Sequence, residues 1–481
     1  MSEGIFIGLK QLFRLHFSVE AEIITPLPVS GSSRRYFRMG GSGCSAIGVY
    51  NTDSKENRAF LSFTGHFLSK GLPVPRILAE DLAQNIYLEE DLGDETLFAF
   101  RSRQPTFTDE LKEKYRQALA YLLAFQTRGA EGMDLSWCYP RAVFDSQSVA
   151  WDLNYFKYYF LKLAAVPFDE QLLENDFQTL TQFLLQADNR FFLFRDFQSR
   201  NIMLREDKVY FIDYQGGRKG ALPYDVASLL YDGKADIPPE VRDELLESYL
   251  ERLQASGVWP VEQFRKYYPA FVLVRILQAM GSYGYRGFYE QKSHFLTSVP
   301  YALRNIVYLL EHYDLTVEVP HLRRLLLSLP ASERLAGFSV EPLTLDICSF
   351  SFRKGLPSDE SGHGGGFVFD CRCLPNPGRE EAFRHFTGKH PDVVAYLEKE
   401  GAVAVFFEHV KALIEQAVEN YHSRRFRHLS VAFGCTGGQH RSVYFAERLA
   451  RHFQAKYPQI RVCLRHCAEN DWDLGQTNCE S

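Results

Sequence analysis

The sequence predicts a two-lobed α+β domain followed by a small α/β domain, and three observations carry that reading. Residues 1–93 hold short apolar runs broken by Gly/Ser clusters, the pattern of hairpins, with one helix among them. Residues 94–330 are dominated by long stretches with helical spacing of apolar positions. Beyond a boundary at about 330–343, strand and helix signals alternate, which is the texture of an α/β domain over 340–481.

Composition narrows the class. The 481 residues are 46% hydrophobic and 24% charged, enough to bury a sizeable core. A net charge of -6 argues against a general nucleic-acid coat, though a local basic face is compatible with it. Nine Cys scattered over so long a chain do not read as a secreted disulfide framework. No run of about 18 apolar residues occurs, so no membrane span is expected. The first residues, MSEGIFIGLKQLFRLHF, are broken by Lys10 and Arg14 and lack the order of a signal peptide. A cytoplasmic location is expected.

The elements follow in order. Residues 21–50 are expected to form hairpins. In residues 56–70, Phe60, Phe63, Phe67 and Leu68 fall on one helical face, and Pro73 and Pro75 close that helix. Ile86–Leu88 is a short strand running into Glu89, Glu90, Asp91, Leu92 and Gly93. Thr108, followed by Asp109 and Glu110, opens a long helix through about Gln126. Further helices fit 146–164, 169–187, 238–255, 261–281 and 298–313, interrupted by strands at 191–194, 202–204 and 209–212. In the last domain, strands fit 344–350, 366–369, 429–433 and 460–464, and helices fit 391–399, 404–421 and 441–456.

The sharpest chemical signal is FFLFRDFQSRNIML (191–204) followed by VYFIDYQGG (209–217). Phosphoryl transfer requires a carboxylate beside the attacking hydroxyl and oxygen ligands for magnesium on the ATP phosphates. Asp196 fits the first role, and Asn201 and Asp213 the second. Taken singly, these are ordinary turn and strand-end residues. Their joint placement between apolar strands favours the chemical reading. Upstream, the polar turn Val29–Arg38 offers Ser32, Ser33, Arg34 and Arg35 to nucleotide phosphates. Glu89, Glu90, Asp91 and Leu92 sit where a hinge between lobes would face adenine.

These residues resemble the aminoglycoside phosphotransferase/choline kinase family over about residues 10–315, and LPYDVASLLYD (222–232) strengthens the match. The resemblance implies a protein-kinase-like fold, with a small lobe at 1–93, a helical lobe at 94–330, ATP and magnesium as cofactors, and a small hydroxyl compound as acceptor. SSRRYFR and LEEDLGDETL are most similar to the branch that phosphorylates N-acetylmuramate and N-acetylglucosamine, which implies an amino sugar. Two positions depart. Phe194 stands where the family usually has His. The strand expected to carry a phosphate-binding Lys reads AIGVYN, without one. Arg34 or Arg35 is the candidate replacement, and Glu56 is the equivalent of the helix glutamate that such a cation pairs with.

A second constellation lies at 429–445, LSVAFGCTGGQHRSVYF. A strand enters a glycine turn that opens a helix, so free backbone amides meet an anion there. Cys435, Thr436, Gly437, Gly438, His440, Arg441 and Ser442 are the candidate anion-binding residues. Cys435 and Arg441 also satisfy C-x-x-x-x-x-R-S, the phosphate loop of cysteine-dependent phosphatases, although a packed thiol is the preferred reading of Cys435. Residues 344–467 resemble the C-terminal domain of the RNase adapter RapZ through SFSFRKGLP, FVFDCRCLPNP, FTGKHPDVVAYL and GCTGGQHRSV. That resemblance implies a glucosamine-6-phosphate site held by Thr436, Gly437, Gly438 and Arg441, with Asp370, Arg372 and Asn376 on matching motifs. Gln439 replaces a Lys of the adapter, and Gly378 a His. The adapter's P-loop motif has no match in this sequence.

The combined expectation is an ATP-dependent amino-sugar kinase with a sugar-phosphate-binding regulatory domain. The rival is a non-catalytic adapter or RNA-binding regulator responding to a hexosamine phosphate. It draws on the missing Lys and on the basic run Arg424, Arg425, Arg427, Arg448, Arg451, Lys456, Arg461 and Arg465. RNA binding is possible but not the expectation.

Overall fold

The computed structural model describes residues 2–28, 34–104, 106–336, 343–357, 366–424, 426, 428–457 and 460–472. Its contacts divide the chain into two units, Met1–Ser339 and Val340–Ser481.

The first unit begins with helix α1 (Ser2–Phe17). The N-terminal stretch carries no element in the sequence reading, yet Leu9, Leu12 and Phe13 recur at helical spacing and are buried. Strands β1 (Ile23–Pro26), β2 (Arg35–Gly41) and β3 (Cys44–Tyr50) follow, then α2 (Ser54–Ser69), β4 (Ile77–Asp81) and β5 (Ile86–Glu89). They make one antiparallel sheet in the order β1-β2-β3-β5-β4. Both faces are covered. Phe37, Met39, Ala46, Ile86 and Leu88 pack with α1, while Ile47, Val49 and Tyr87 share a core with Phe60 and Phe63 of α2. Asp53 caps α2 by accepting from the amides of Lys55 and Glu56. Leu68, expected on the buried face, is 38% exposed, because the stripe of Phe60, Phe63 and Phe67 already fills the contact.

The helical lobe contains α3 (Leu97–Ser102), α4 (Asp109–Gln126), α5 (Ser146–Tyr155) and α6 (Glu170–Leu184). Thr108, Asp145 and Asp169 cap the last three of these. The helix expected over 146–164 changes register within that range: α5 runs into a π turn at Phe156–Leu161. Strands β6 (Phe191–Leu193), β7 (Ile202–Arg205), β8 (Lys208–Phe211) and β9 (Arg218–Gly220) pair as β6-β9 and β7-β8. Then come α7 (Pro223–Leu230), α8 (Pro239–Ser256), α9 (Val261–Gly284), α10 (Val299–His312), α11 (Pro320–Ser328) and α12 (Glu333–Ala336). Helix α9 is apolar around most of its circumference and forms the lobe's axis. The result is the protein-kinase-like two-lobed fold.

The second unit holds β10 (Thr344–Ser351), β11 (Gly366–Asp370), α13 (Pro391–Glu398), α14 (Gly401–Arg424), β12 (His428–Cys435), α15 (Arg441–Lys456) and β13 (Arg461–His466). Its sheet is parallel throughout, in the order β11-β12-β10-β13. Leu345, Ile347, Val431 and Phe433 face a core shared with α14 and α15. This is the expected α/β domain. No described helix is long and apolar enough to cross a membrane.

Candidate active site and glycine turn

The loop after β6 is held from behind. Asp225, fully buried on α7, accepts the backbone amides of Phe194 (2.7 Å) and Arg195 (2.9 Å). Burial pushes the Asp225 carboxyl up to about 7, the two amide bonds opposing that shift. Arg195 has φ of 84°, a left-handed conformation that a side chain seldom adopts. Its guanidinium meets Asp152 of α5 through two bonds, 2.6 and 2.8 Å, and the Tyr224 hydroxyl at 2.6 Å. Phe194 fills the place of the family His by packing against Phe125, Phe197 and Tyr214.

Asp196 follows this anchored pair. Its carbonyl accepts from Asn201 Nδ2 (2.9 Å), and the same nitrogen reaches Asp213 Oδ2 (3.1 Å). Gln215 Nε2 donates to Asp213 Oδ1 (2.7 Å). Asp213 is itself left-handed, with φ of 69°. Although 39% of its side chain meets solvent, the carboxyl is deep enough that burial first, and Asp196's charge second, push it up to about 6. The loop thus brings Asp196, Asn201 and Asp213 together.

Of the two candidate replacements for the missing Lys, one meets Glu56. Arg34, just before β2 and 2% exposed, lies 2.8 Å from Glu56 of α2 and 3.6 Å from Asp213. Asn51 Nδ2 donates to the other Glu56 oxygen at 2.9 Å. Arg35 points elsewhere, exposed and over the Phe37 ring at 5.3 Å. Ser32 and Ser33 lie outside the described residues. In the hinge, Glu90 pairs with Arg76 and Arg205, and Asp91 with Arg38, while Leu92 is buried. Burial pushes Glu89 up to about 8, with Arg34 working against the shift.

The donor set suits magnesium. That ion takes oxygen ligands and is commonly held by one or two protein groups plus substrate phosphates. Asn201 Oδ1 and the Asp213 carboxylate are such donors, and a carboxyl raised by burial and a neighbouring acid is one that a cation would relieve. Among the described residues no cluster of three or more His, Cys, Asp or Glu suggests another metal.

Sequence reasoning missed Arg195, Asp152, Gln215 and the role of Asp225. The signal for Asp225 was present: one acid inside the otherwise apolar PYDVASLL has to meet buried donors.

The glycine turn after β12 is built differently. Cys435 Sγ accepts the Gly438 amide (3.2 Å) and lies 3.1 Å from Ser442 Oγ. Gly438 has φ of 72°, and a Cβ there would lie 2.7 Å from the Ala468 Cβ, so the turn requires glycine. Gln439 Nε2 donates to the carbonyls of Arg384 (3.2 Å) and Phe386 (2.9 Å). His440 Nε2 lies 2.9 Å from Phe383 O. Arg441 donates to the carbonyls of Arg372 (3.1 Å) and Leu374 (2.8 Å). Thr436 and Gly437 are the exposed part of the turn. Gly378 lies against the same turn, where a Cβ would stand 3.1 Å from the His440 ring, a tight contact but not a backbone requirement for glycine.

The basic run is largely engaged. Arg448 stacks over Phe407 and donates to the Tyr444 hydroxyl, Lys456 pairs with Glu415, and Arg465 with Asp346. Arg425 and Arg427 lie outside the described residues.

Comparison with known proteins agrees with this division. The family model described as "Phosphotransferase enzyme family" matches residues 23–264. The model described as "RapZ C-terminal domain" matches residues 343–468. A nucleotide-binding protein of Methylobacillus flagellatus is 44% identical over 124 residues, 26% of this chain and 42% of that one. One from Thioalkalivibrio sulfidiphilus is 40% identical over 134 residues, 28% and 45% of the two chains. The chain thus spans under half the length of these curated relatives. Among solved structures, ADP-bound aminoglycoside phosphotransferase APH(2'')-Ib overlaps 64% of this chain and 99% of its own at a TM-score of 0.45 and 13% identity. Choline kinase from Cryptosporidium parvum overlaps 63% and 93%, at 0.41 and 13%.

Proposed function

This chain belongs to the phosphotransferase enzyme family, and we propose that it transfers the γ-phosphoryl group of ATP to a hydroxyl of an amino sugar, under the influence of a sugar phosphate bound at its RapZ C-terminal domain. The observation that carries the reading is the convergence of Asp196, Asn201, Asp213 and the Arg34–Glu56 pair in one cluster. Asp196 accepts the acceptor's hydroxyl proton on its carboxylate, and the Arg195–Asp152 pair keeps that carboxylate in place. Arg34, oriented by Glu56, holds nucleotide phosphates in the role usually given to a Lys. Asn201 Oδ1 and Asp213 hold magnesium, which when bound supplies positive charge against the phosphates. The part-exposed pair Glu90–Arg205 ties the small lobe to the helical lobe, and Asp91–Arg38 fixes the segment between them.

In the second unit, Thr436 and the amides of the glycine turn hold the phosphate of the effector, at the start of a 16-residue helix whose dipole favours an anion. Arg441 and Gln439 shape the turn from below. The amino-sugar assignment rests on the sequence resemblance of SSRRYFR and LEEDLGDETL.

The test is ADP release from the full chain with ATP, magnesium and a panel of glucosamine, N-acetylglucosamine and N-acetylmuramate, with Asp196→Asn as control. Sugar-dependent release that Asp196→Asn abolishes is expected. Release that no sugar stimulates would overturn the reading. Adding glucosamine 6-phosphate is expected to change the rate, and an unchanged rate across its saturation range removes the regulatory half.

A further inference from the structure

Helices α5 and α9 approach so closely that side chains at the crossing are excluded. A Cβ on Gly281 would stand 2.8 Å from the Tyr155 backbone, and one on Gly284 2.1 Å from the Tyr159 carbonyl. Beyond the crossing each helix opens into a π turn, Phe156–Leu161 and Tyr285–Tyr289. Such turns are rare and frequently lie at functional sites. Four tyrosine rings gather between them. Tyr155 and Tyr159 are 5.0 Å apart, Tyr159 and Tyr285 5.0 Å, and Tyr285 and Tyr289 5.4 Å and stacked. They are not core residues: three are part-exposed, and Tyr289 is 65% exposed.

The place of this cluster is set by both helices. Asp152 lies one turn before Tyr155 on the same helical face, and its carboxylate grips Arg195, the neighbour of Asp196. On the other helix, the Tyr283 hydroxyl lies beside Gly233, where a Cβ would be 3.3 Å from it. Gly233 follows Asp232, whose carboxylate accepts from Ser199 of the same catalytic loop at 2.6 Å. Helix α5 therefore meets the loop that carries the proposed base directly, and α9 is linked to it through Gly233 and Asp232. At about 5.4 Å per turn, Tyr155 and Tyr159 stand roughly one and two turns from Asp152.

We propose that Tyr155, Tyr159, Tyr285 and Tyr289, whose rings meet at 67° and 87° before the last two stack, form a corner-shaped platform for the acceptor's pyranose ring, one C–H face against an exposed phenol ring and its hydroxyls within reach of their O–H groups. This deepens the kinase reading and rests on it: the platform holds the sugar while Asp196 takes the proton from the hydroxyl presented to it. Tyrosine suits the task because it is stiff, apolar on its face and polar at its tip.

The test uses the full chain with Tyr159→Leu, Tyr285→Leu and the matching Tyr→Phe variants. N-acetylglucosamine is the probe, and three quantities are read: sugar KM, sugar binding by saturation-transfer NMR without turnover, and affinity for a fluorescent ATP analogue. Each Leu variant is expected to raise the sugar KM at least about ten-fold, with nucleotide affinity unchanged and the Phe variants close to wild type. A lowered melting temperature with an unchanged sugar KM shows a packing cluster only and overturns the proposal. Parallel loss of sugar and nucleotide affinity overturns it too. Should wild type turn over no sugar yet bind N-acetylglucosamine in a Tyr159-dependent way, the platform stands and the kinase reading falls. Absence of both overturns both.

Discussion

The catalytic loop after β6 and the glycine turn after β12 both leave a strand and both are read as phosphate sites, yet they use their side chains in opposite ways. In the first, the anchoring groups come from elsewhere: Asp225 holds the backbone and Asp152 holds Arg195. Asn201 Nδ2 ties the loop to Asp213, and the Asp196 carboxylate, Asn201 Oδ1 and Asp213 are the groups proposed to meet reactants. In the second, the turn anchors itself. Gln439, His440 and Arg441 reach back to carbonyls of residues 372–386, and the outward surface is Thr436, Gly437 and backbone. A site of aimed carboxylates suits a metal-nucleotide and a proton transfer. A site of amides suits a bound anion that is not transformed.

Asp196→Asn is the largest expected break. Turnover is expected to fall by roughly 10²–10⁴, while phosphate binding at the glycine turn, followed by NMR shifts, is unchanged. Loss of both would show that the two sites are not separate devices. Next is Asp152→Ala, which leaves the Arg195 guanidinium, only 17% exposed, without its carboxylate. The cost is expected to be ~3–5 kcal/mol in urea unfolding. A change below about 1 kcal/mol would mean that the pair is not an anchor. In the second unit, Gln439→Leu removes the donor to the Arg384 and Phe386 carbonyls, and a loss of ~1–3 kcal/mol is expected with kinase turnover kept. Thr436→Val, on the outward surface, is expected to weaken sugar-phosphate binding by about ten-fold without a stability change. The reverse pattern in these two variants would overturn the division between shaping and binding residues.

The smallest effect is a split in pH response. In the first unit, Asp225 and Glu89 are raised to about 7 and about 8 by burial, so the folded state holds their protons. That contribution is complete below the ordinary carboxylate range and is lost as pH rises through 7 and 8. In the second unit, His440 and His466 are lowered from 6.5 by burial. Their contribution is present above the ordinary histidine value and is lost as pH falls through the lowered values. Calorimetry between pH 6 and pH 8 is expected to show the first unit melting earlier as pH rises, with no such loss in the second. Two transitions that shift together would contradict this.

Much of this architecture was legible. The helices at 109–126, 170–184, 239–256, 261–284 and 299–312 and all four strands of the second unit were legible in the apolar pattern, whereas α7, buried on every side, was not read as a helix from it. D-x-x-x-x-N with a following strand-end Asp singled out three residues that the fold brings together. The small lobe was harder. The strands β3 and β5 are apolar on both faces, and only α1, unread in the sequence, explains the second covering. The Leu68 error has the same root, since a helix face is defined by what it packs against.

By itself the sequence determined which residue types are candidates to meet phosphate, and in what order, because such loops are short and their spacing is local. Tertiary structure alone decided that Arg34, not Arg35, meets Glu56 across the lobe, that Asp152 holds Arg195 from 43 residues away, and that Gln439 and Arg441 turn inward. Those choices depend on which buried partner remains to be satisfied once the chain has closed on itself, and no local pattern records that.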